Sequence, residues 1–276
     1  MQILQDKALV IPVAHPKQIT SVIPKSKELK GDEVIVHWGI DEVHTLRSVG
    51  IKAPSPISRR YKWTGQYTPF DHQKKTAAFL TLNKRAFCFN EQGTGKTASA
   101  IWAADYLISQ GKVNRVLVIC PLSIMDSAWR NDMFSFAMHR RVDVAYGSKS
   151  KRKAVIEGDA EFVVINYAGV ELVEDAIASG GFDLIIVDEA THYKNAQTKR
   201  WKALNRLLQT DTWLWLMTGT PAAQSPTDAF GLAKLVNPLG VPRFFGAFRD
   251  MVMYKSTMWK WAIRDTATDT VFNALQ

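Results

Sequence analysis

The sequence predicts an α/β fold in which a parallel β-sheet lies between two layers of helices. Beyond Trp63, short apolar runs rich in β-branched and aromatic residues alternate with helical patterns. Each run is almost continuously apolar, as in strands buried on both faces of a parallel sheet. Such alternation is typical of a doubly wound arrangement, in which ligands bind at the carboxyl ends of the strands. The predicted strands are RAFCFN, RVLVIC, EFVVIN, FDLIIVD and WLWLMT, and the predicted helices are Thr97–Gln110, Ser123–Met133, Trp201–Leu208 and Thr227–Val236.

Length and composition bound the class of protein. The 276 residues suffice for one large α/β domain, or for a core domain and a small one. Residues 1–63 are irregular and rich in Pro and Lys, with one predicted strand at Val34–Trp38, and form a predicted small N-terminal accessory segment. A hydrophobic content of 46% and a charged content of 22% exclude the disordered and fibrous classes. The net charge of +9 favours a polyanionic partner without requiring one.

Several classes of site are not expected. Cys88 and Cys120 lie in apolar runs, so we expect buried free thiols in a reducing compartment. The six histidines show no metal-binding spacing, which argues against zinc. No apolar run approaches the roughly 18–20 residues of a membrane span, and the N-terminus lacks an export signal. A cytoplasmic protein without a membrane partner is therefore expected, in the bacterial host cytoplasm if the gene is carried by a phage.

The strongest motif is the glycine-rich segment NEQGTGKT at Asn90–Thr97, between a predicted strand and a predicted helix. Its glycines permit a tight bend whose N–H groups point at a phosphate, and the helix N-terminus adds a positive dipole. Lys96 would reach the β- and γ-phosphates of ATP, and the Thr97 hydroxyl would bind Mg²⁺. The first glycine of the usual P-loop pattern is replaced by Asn90. The predicted nucleotide-binding residues of this loop are Gly93, Thr94, Gly95, Lys96 and Thr97.

Two carboxylates follow the apolar strand in FDLIIVDEA, at Phe182–Ala190. Asp188 at the strand tip is placed to hold Mg²⁺, as the acidic residue of a P-loop enzyme does. Glu189 could polarise the attacking water as a general base. The alternative is an acidic cap on the following helix, but a P-loop upstream favours the catalytic interpretation.

Five segments share their order and spacing with a known family. They resemble the first motor lobe of superfamily-two helicases, and within it the Snf-type ATPases, especially phage-encoded DNA helicases. The resemblance implies a RecA-like P-loop NTPase lobe over residues 64–240, followed by a bridging segment at 241–276, with ATP and Mg²⁺ as cofactors and with Lys96 and Glu189 catalytic. The segments are Tyr67–Phe79, Val118–Trp129, Val164–Val170, Asp188–Asn195 and Leu216–Pro238.

The resemblance also implies roles for single residues. Gln73 would read the adenine edge, with a polar helix surface as the alternative. Ser123 would contact a DNA strand unless it caps a helix with Asp126, and both can hold. For Asn166, and for the threonines of the TGTP segment at residues 218–221, the alternative is a plain turn. The implied DNA-binding residues are Pro121, Ser123, Asn166 and Tyr167, and the residues implied to couple hydrolysis to lobe movement are Thr218, Gly219 and Thr220.

Two features depart from a complete motor of this family. Thr191 stands where the family often has His, which leaves the coupling detail open. No second lobe with its transition-state arginines is found, and such an arginine is worth about 10³–10⁵ in rate. The expected partners are therefore DNA, duplex or branched, and a second helicase lobe in cis or in trans. The expected function is an ATP-dependent DNA helicase or translocase; the alternatives are a non-hydrolysing ATP- and DNA-binding half of a split or truncated motor, or an RNA helicase.

Basic groups and tryptophans leave two further questions. Four short basic groups are either solvated faces or parts of one DNA-binding stripe. Trp213 and Trp215 lie in an apolar run and are expected in the core rather than on a base-stacking surface. The basic groups are Arg59–Arg60, Lys74–Lys75, His139–Arg141 and Lys149–Lys153.

Overall fold

The computed structural model describes residues 1–91, 93–219, 222 and 224–275. It contains a central sheet of six strands, an N-terminal sheet of four and a two-stranded hairpin. The strands are β1 (Gln2–Leu4), β2 (Ala8–Pro12), β3 (Ser26–Leu29), β4 (Glu33–His37), β5 (Arg85–Cys88), β6 (Val116–Cys120), β7 (Val142–Ala145), β8 (Phe162–Asn166), β9 (Leu184–Asp188), β10 (Trp213–Met217), β11 (Met253–Lys255) and β12 (Trp261–Ile263).

Helices connect these strands and cover both faces of the central sheet. Short 3₁₀ turns lie at Leu122–Ile124, Ala190–Tyr193 and Pro226–Asp228, and a π-helical segment at Met125–Arg130. No helix in the described ranges is both long and apolar enough to cross a membrane. The α-helices are α1 (Pro16–Val22), α2 (Ile40–Ser48), α3 (Ile57–Arg60), α4 (Asp71–Thr81), α5 (Lys96–Ser109), α6 (Asn131–Phe136), α7 (Lys149–Ile156), α8 (Tyr167–Leu172), α9 (Glu174–Ser179), α10 (Lys199–Leu207), α11 (Ala229–Val236), α12 (Phe245–Val252) and α13 (Ala267–Ala274).

The central sheet is parallel throughout, with strand order β5-β10-β9-β6-β8-β7. Side chains alternate between two apolar layers: Leu214 and Leu216 face one, whereas Trp213 and Trp215 face the other. This double burial explains why each strand reads as a continuous apolar run. The predicted core position of the two tryptophans is confirmed, since Trp213 is 5% exposed and Trp215 is fully buried.

The five predicted strands of the central sheet are confirmed as β5, β6, β8, β9 and β10. The sequence did not reveal β7, because this edge strand pairs only with β8 and is partly exposed. The helix predicted at Ser123–Met133 is a 3₁₀ turn, a π-helical segment and the start of α6. The pattern of apolar residues in the sequence therefore predicted the buried strands correctly, but it did not predict the irregular connection after β6.

The N-terminal sheet has more regular structure than the sequence predicted. The strand expected at Val34–Trp38 is β4, one residue earlier, and it pairs antiparallel with both β2 and β3. Leu9, Val36 and Trp38 are fully buried in a separate small core. Strand β3 escaped prediction because its residues are mostly exposed and polar.

Candidate nucleotide-binding site

The phosphate loop lies between β5 and α5, at the carboxyl edge of the central sheet. Gly93 and Gly95 have φ values of 78° and 76°, in the left-handed region that side chains disfavour. A Cβ on Gly95 would also lie 2.1 Å from the Nε2 atom of Gln73. Lys96 and Thr97 open α5, where the free N–H groups and the helix dipole favour an anion. The bend expected for a phosphate site is therefore present.

The side chain of Lys96 folds back over the start of this loop. Its ammonium group donates hydrogen bonds to the carbonyl oxygens of Asn90 (2.8 Å) and Glu91 (2.9 Å). Asn90 stands where the usual P-loop pattern has its first glycine. Its Nδ2 donates to the Thr76 hydroxyl (2.8 Å) on α4. Asn90 does not have a positive φ, so the bend needs no glycine there. Asn90, in place of the usual glycine, thus links the loop to α4 through a side-chain hydrogen bond.

Helix α4 makes two further contacts with the loop. Gln73 donates from Nε2 to the Thr94 carbonyl (3.2 Å), and its Oε1 accepts from the Phe70 amide (2.9 Å). The His72 ring nitrogen Nε2 lies 3.0 Å from the same Thr94 oxygen. Gln73 therefore lies beside the loop, and its adenine-reading role stays a prediction.

The acidic strand end lies on the same edge as the phosphate loop. Met217 of β10 pairs with Cys88 of β5 on one side and with Asp188 of β9 on the other. Two strand spacings of about 4.8 Å place those two strand ends about 10 Å apart. Burial raises the pKa of the Asp188 carboxyl group, and the charge of Lys96 is close enough to oppose that rise. The loop and the acidic strand end therefore face one site.

Asp188 is held in place by two donors. Its Oδ2 accepts from the indole Nε1 of the fully buried Trp129 (2.9 Å), and its Oδ1 accepts from the Glu189 amide (3.0 Å). Burial raises the pKa of Asp188, and both hydrogen bonds oppose that rise because they favour the charged form. The contact with Trp129 was not predicted, since nothing in the sequence between the two residues signals it.

Glu189 has a backbone conformation that is unusual for its type. Its φ of 54° and ψ of 61° are left-handed, at a cost of about 1 kcal/mol or more for a residue with a side chain. Its Oε1 accepts hydrogen bonds from the hydroxyls of Thr191 (2.8 Å) and Thr218 (3.0 Å). The strain and the two donors together fix the direction of this carboxylate. Thr191, where the family often has His, thus acts directly on the predicted general base.

The predicted coupling residues continue from β10. Thr218 is fully buried, and its hydroxyl donates a hydrogen bond to the Glu189 carboxylate. Gly219 follows it, partly buried, at the end of the strand. Thr220 lies outside the described residues. The described part of TGTP therefore contacts the acidic motif through one side chain.

The residues present fit a magnesium–nucleotide group. The Thr97 hydroxyl makes no hydrogen bond to any other residue that the structure describes, and the Asp188 carboxylate supplies a hard oxygen donor. Mg²⁺ commonly takes one or two such ligands and fills the rest of its octahedron with water and phosphate oxygens. Among the described residues no cluster of three or more His, Cys, Asp or Glu side chains could hold a metal. A metal brought in with the nucleotide suits this donor set better than a metal in a closed protein cage.

The predicted DNA-binding residues have different environments. Pro121 is half-buried at the end of β6, and Ser123 is exposed in the 3₁₀ turn that follows. The alternative helix-cap role of Ser123 is wrong, because Pro121 occupies the cap position and Asp126 instead accepts from Arg130 (3.4 Å). The loop after β6 is therefore free to contact a ligand.

Asn166 and Tyr167 are less accessible than the resemblance implied. The Oδ1 of Asn166 accepts from Arg152 (2.9 Å). Tyr167 is only 6% exposed, and its hydroxyl donates to the Asp188 carbonyl (2.5 Å). The Tyr167 side chain therefore supports the acidic strand end from within the fold, and a DNA contact by the Asn166–Tyr167 segment stays a prediction.

The short basic groups are largely neutralised within the chain. Arg59 pairs with Asp6, Lys74 with Asp71 and Lys153 with Glu157; His139 and Arg140 meet the buried Asp105, and Arg141 meets Asp159. Arg152 is 6% exposed. These groups thus favour the solvated-face interpretation over one continuous stripe.

Comparisons with known proteins identify a matching family and several relatives. A family model described as "SNF2-related domain" matches residues 72–258, more than half of the chain. "Putative protein p41" of Acyrthosiphon pisum secondary endosymbiont phage 1 is 28% identical over 181 residues, covering 62% of this chain and 39% of that protein. "Uncharacterized ATP-dependent helicase YqhH" of Bacillus subtilis is 27% identical over 177 residues, covering 62% and 30%. The chain thus spans well under half the length of these relatives.

A solved structure shares the fold. The Sulfolobus solfataricus SWI2/SNF2 ATPase core, solved in complex with dsDNA, superposes with a TM-score of 0.61 at 23% identity, over 68% of this chain and 39% of that one. Residues 72–258, which the family model matches, contain the phosphate loop, the acidic strand end and the described part of TGTP. With its parallel sheet and these motifs on one edge, the chain belongs to the SNF2-related domain family.

Proposed function

We propose that this chain is the ATP-binding lobe of a DNA helicase or translocase, in which hydrolysis is coupled to movement on DNA. The observation that carries the proposal is the convergence of Lys96, Asp188 and Glu189 on one sheet edge, with Thr218 hydrogen-bonded to Glu189. A phosphate loop and an acidic strand end suffice to bind a nucleotide. The hydrogen bond from Thr218 to Glu189 would allow a change at Glu189 during hydrolysis to shift the end of β10.

Each residue has a stated task in this proposal. Lys96 leaves the carbonyls of Asn90 and Glu91 and binds the β- and γ-phosphates. Thr97 and Asp188 hold the Mg²⁺, which would neutralise charge on those phosphates when bound. Glu189 orients and polarises the attacking water. Gln73, next to Thr94, would read the adenine edge from its place beside the loop.

The partners follow from the same proposal. The Sulfolobus solfataricus relative was solved with dsDNA, and we propose DNA, duplex or branched, as the polymer bound here, with Pro121 and Ser123 contacting its backbone. A second lobe, in cis or in trans, would supply the transition-state arginines. We propose residues 1–63 as an accessory segment, 64–240 as the motor lobe and 241–276 as the bridge towards that second lobe. All would act in the cytoplasm, that of the bacterial host if the gene is carried by a phage.

Nucleotide binding and turnover test the proposal separately. A fluorescent ATP analogue should bind the 276-residue chain with Mg²⁺ and lose at least about tenfold in affinity in Lys96→Ala, since a charge-assisted phosphate contact is removed. Lys84→Ala is the matched control, because Lys84 precedes β5 at the opposite end of the strand and pairs with Asp211. Equal affinities of the wild type and Lys96→Ala would contradict the assigned site.

Turnover distinguishes the motor from its alternatives. With a second lobe present, duplex DNA should stimulate ATP hydrolysis, and Glu189→Gln should abolish it while nucleotide still binds. Binding of ATP and DNA without any turnover in the two-lobe protein would favour a non-hydrolysing module. Stronger stimulation by RNA than by DNA at matched salt would favour an RNA helicase.

A further inference from the structure

Trp259 is the exception among the nine tryptophans of the chain. It is 85% exposed, and its neighbour Met258 is 78% exposed, whereas the other tryptophans are buried or half-buried. No aromatic ring and no cation of the described residues contacts the Trp259 ring within the usual stacking distances. Together, the two adjacent side chains leave apolar surface in water, the kind of surface on which a partner can pack.

The segment that presents Trp259 is an ordered turn. Strands β11 and β12 pair from Met253 with Ile263 to Lys255 with Trp261. The turn between them is closed by the Ser256 amide, which donates to the Lys260 carbonyl (3.0 Å), and by the Thr257 hydroxyl, which accepts from the Lys260 amide (3.1 Å). Residues 253–263 are called the Trp259 hairpin below. Its preformed tip lowers the entropy cost of binding a partner.

Basic side chains outnumber carboxylates along the Trp259 hairpin and its flanking residues. Within residues 249–264, four basic side chains accompany a single acidic one, Asp250, which pairs with Arg249. Several lie over aromatic rings: Arg249 over Trp261 (3.9 Å to the ring centroid), Lys255 over Trp261 (5.8 Å) and Arg264 over Tyr254 (5.9 Å). Apart from Arg249, these basic side chains have no carboxylate partner among the described residues. The basic residues are Arg249, Lys255, Lys260 and Arg264.

The Trp259 hairpin is anchored beside the nucleotide edge. The Sδ of Met253 lies 3.9 Å from the hydroxyl of Ser225. Ser225 belongs to the segment that follows β10 and TGTP. The Arg264 guanidinium donates to the Met253 carbonyl (3.1 Å) and fixes the base of the hairpin. Ile263 lines a groove of about 380 Å³ together with Phe89, which directly follows β5. The hairpin therefore projects from the edge that carries the phosphate loop.

We propose that the Trp259 hairpin binds an unpaired base of a DNA single strand, with the base stacked on Trp259 and the adjacent phosphates on Lys255 and Lys260. Interleaved aromatic rings and cations suit a strand of stacked bases and phosphates. A protein partner would favour an apolar surface with a mixed polar rim, whereas the rim here is cationic. The proposal rests on the DNA partner of the proposed function, and it lies partly beyond the family match, which ends at residue 258.

The test uses the 276-residue chain and a forked duplex with 2-aminopurine in one single-stranded arm. Stacking on Trp259 should quench the 2-aminopurine fluorescence, and Trp259→Ala should abolish the quenching. Trp259→Ala should also weaken binding of the fork about fivefold or more, the loss of one base–aromatic stack. Trp259→Phe should retain most of both effects. Affinity for a flush-ended duplex should not change.

Two controls separate stacking from general effects. Leu239→Ala removes an exposed apolar side chain (98%) that is not part of the Trp259 hairpin and should change neither readout. The double substitution Lys255→Ala and Lys260→Ala should reduce the slope of log Kd against log salt by about 1.4 on single-stranded arms. Each phosphate contact contributes about 0.7 to that slope, and two contacts are removed. Circular dichroism of Trp259→Ala should match the wild type, since the ring makes no contact in the core.

Three results would overturn the inference. Fork binding equal in the wild type and Trp259→Ala rejects the hairpin while leaving the proposed function intact. Absence of binding to any DNA rejects the hairpin and the DNA partner together. Unchanged DNA affinity combined with loss of a self-association seen by sedimentation in the wild type assigns the surface to protein contacts instead.

Discussion

Thr218 and Glu189 are joined by a hydrogen bond of 3.0 Å, from the threonine Oγ1 to the glutamate Oε1. The bond crosses from the end of β10 to the end of β9, where Met217 pairs with Asp188. Thr191 donates to the same oxygen from the other side. The lone pairs of Oε1 are thus engaged, which leaves Oε2 as the oxygen that can accept from an attacking water. A shift of β10 would move this carboxylate directly.

Removing the Thr218 hydroxyl should slow turnover with little effect on nucleotide binding. Thr218→Val keeps the side-chain shape but removes one donor to Glu189, which is worth about 1–1.5 kcal/mol. We expect the kcat of DNA-stimulated hydrolysis by the two-lobe protein to fall about tenfold, with KM for ATP nearly unchanged because the phosphate loop is untouched.

The matched control for this substitution is Thr81→Val. Thr81 is also fully buried, and its hydroxyl bonds to Ser55 (2.7 Å) and the Ala78 carbonyl (2.9 Å), away from the nucleotide edge. Its replacement should lower stability but leave kcat unchanged. If both variants lose the same share of kcat, Thr218 acts only through stability.

Trp129 should contribute to both stability and metal use through Asp188. Trp129→Phe leaves a buried carboxylate without one of its two donors, so the free energy of unfolding in urea should fall by about 1–3 kcal/mol. The pKa of Asp188 should rise further, and the Mg²⁺ concentration for half-maximal hydrolysis should increase. Trp102→Phe loses a comparable bond to the Thr64 carbonyl (2.8 Å) and should cost stability without changing the Mg²⁺ requirement.

Asp132 should make stability depend on pH. Burial, with the nearby charge of Asp188, raises the pKa of Asp132 to about 6, above the ordinary range of an aspartate. Because the folded pKa lies above the unfolded one, the folded state loses stability as pH rises through about 4 to 6. Asp132→Asn should therefore be neutral below pH 4 and stabilising at pH 7, by about 1 kcal/mol after allowance for solvent screening. Urea denaturation at both pH values measures the difference, and equal stability of the two proteins at pH 7 would contradict it.

The sequence predicted the parts of this molecule that depend on local pattern. Buried strands read as apolar runs, and the carboxyl ends of parallel strands necessarily share an edge, so Lys96 and Asp188 could be placed together from sequence. Contacts between distant side chains have no such signal: Trp129 precedes Asp188 by 59 residues and reaches it only through the packing of the fold.

The same limit explains which contacts and elements the sequence did not reveal. A tyrosine after a strand looks the same in sequence whether it faces DNA or turns inward, and Tyr167 turns inward because the Asp188 carbonyl accepts its hydroxyl. Edge strand β7 has one neighbour and no continuous apolar run. Thr191, which departs from the family, could not be assigned a partner until the left-handed turn at Glu189 brought the two side chains together.

The two glycines of the phosphate loop should differ in their tolerance of a side chain. Both have left-handed backbones, so Gly93→Ala and Gly95→Ala should each lose about 1 kcal/mol of stability from the strained φ. A Cβ at Gly93 meets no atom of the described residues within 4 Å, whereas at Gly95 it meets Gln73 Nε2 at 2.1 Å. Gly95→Ala should therefore displace Gln73 from Thr94 and cost about 1 kcal/mol more, measured by urea denaturation without nucleotide.

A double substitution isolates that extra cost. Gln73→Ala removes the colliding amide, so Gly95→Ala should destabilise a Gln73→Ala background by no more than Gly93→Ala destabilises the wild type. The comparison needs no ATP, and the predicted role of Gln73 in reading adenine does not affect it. If Gly95→Ala costs the same in both backgrounds, then the contact between α4 and the loop at Thr94 does not constrain the phosphate loop, and the loop's shape comes from its own backbone alone.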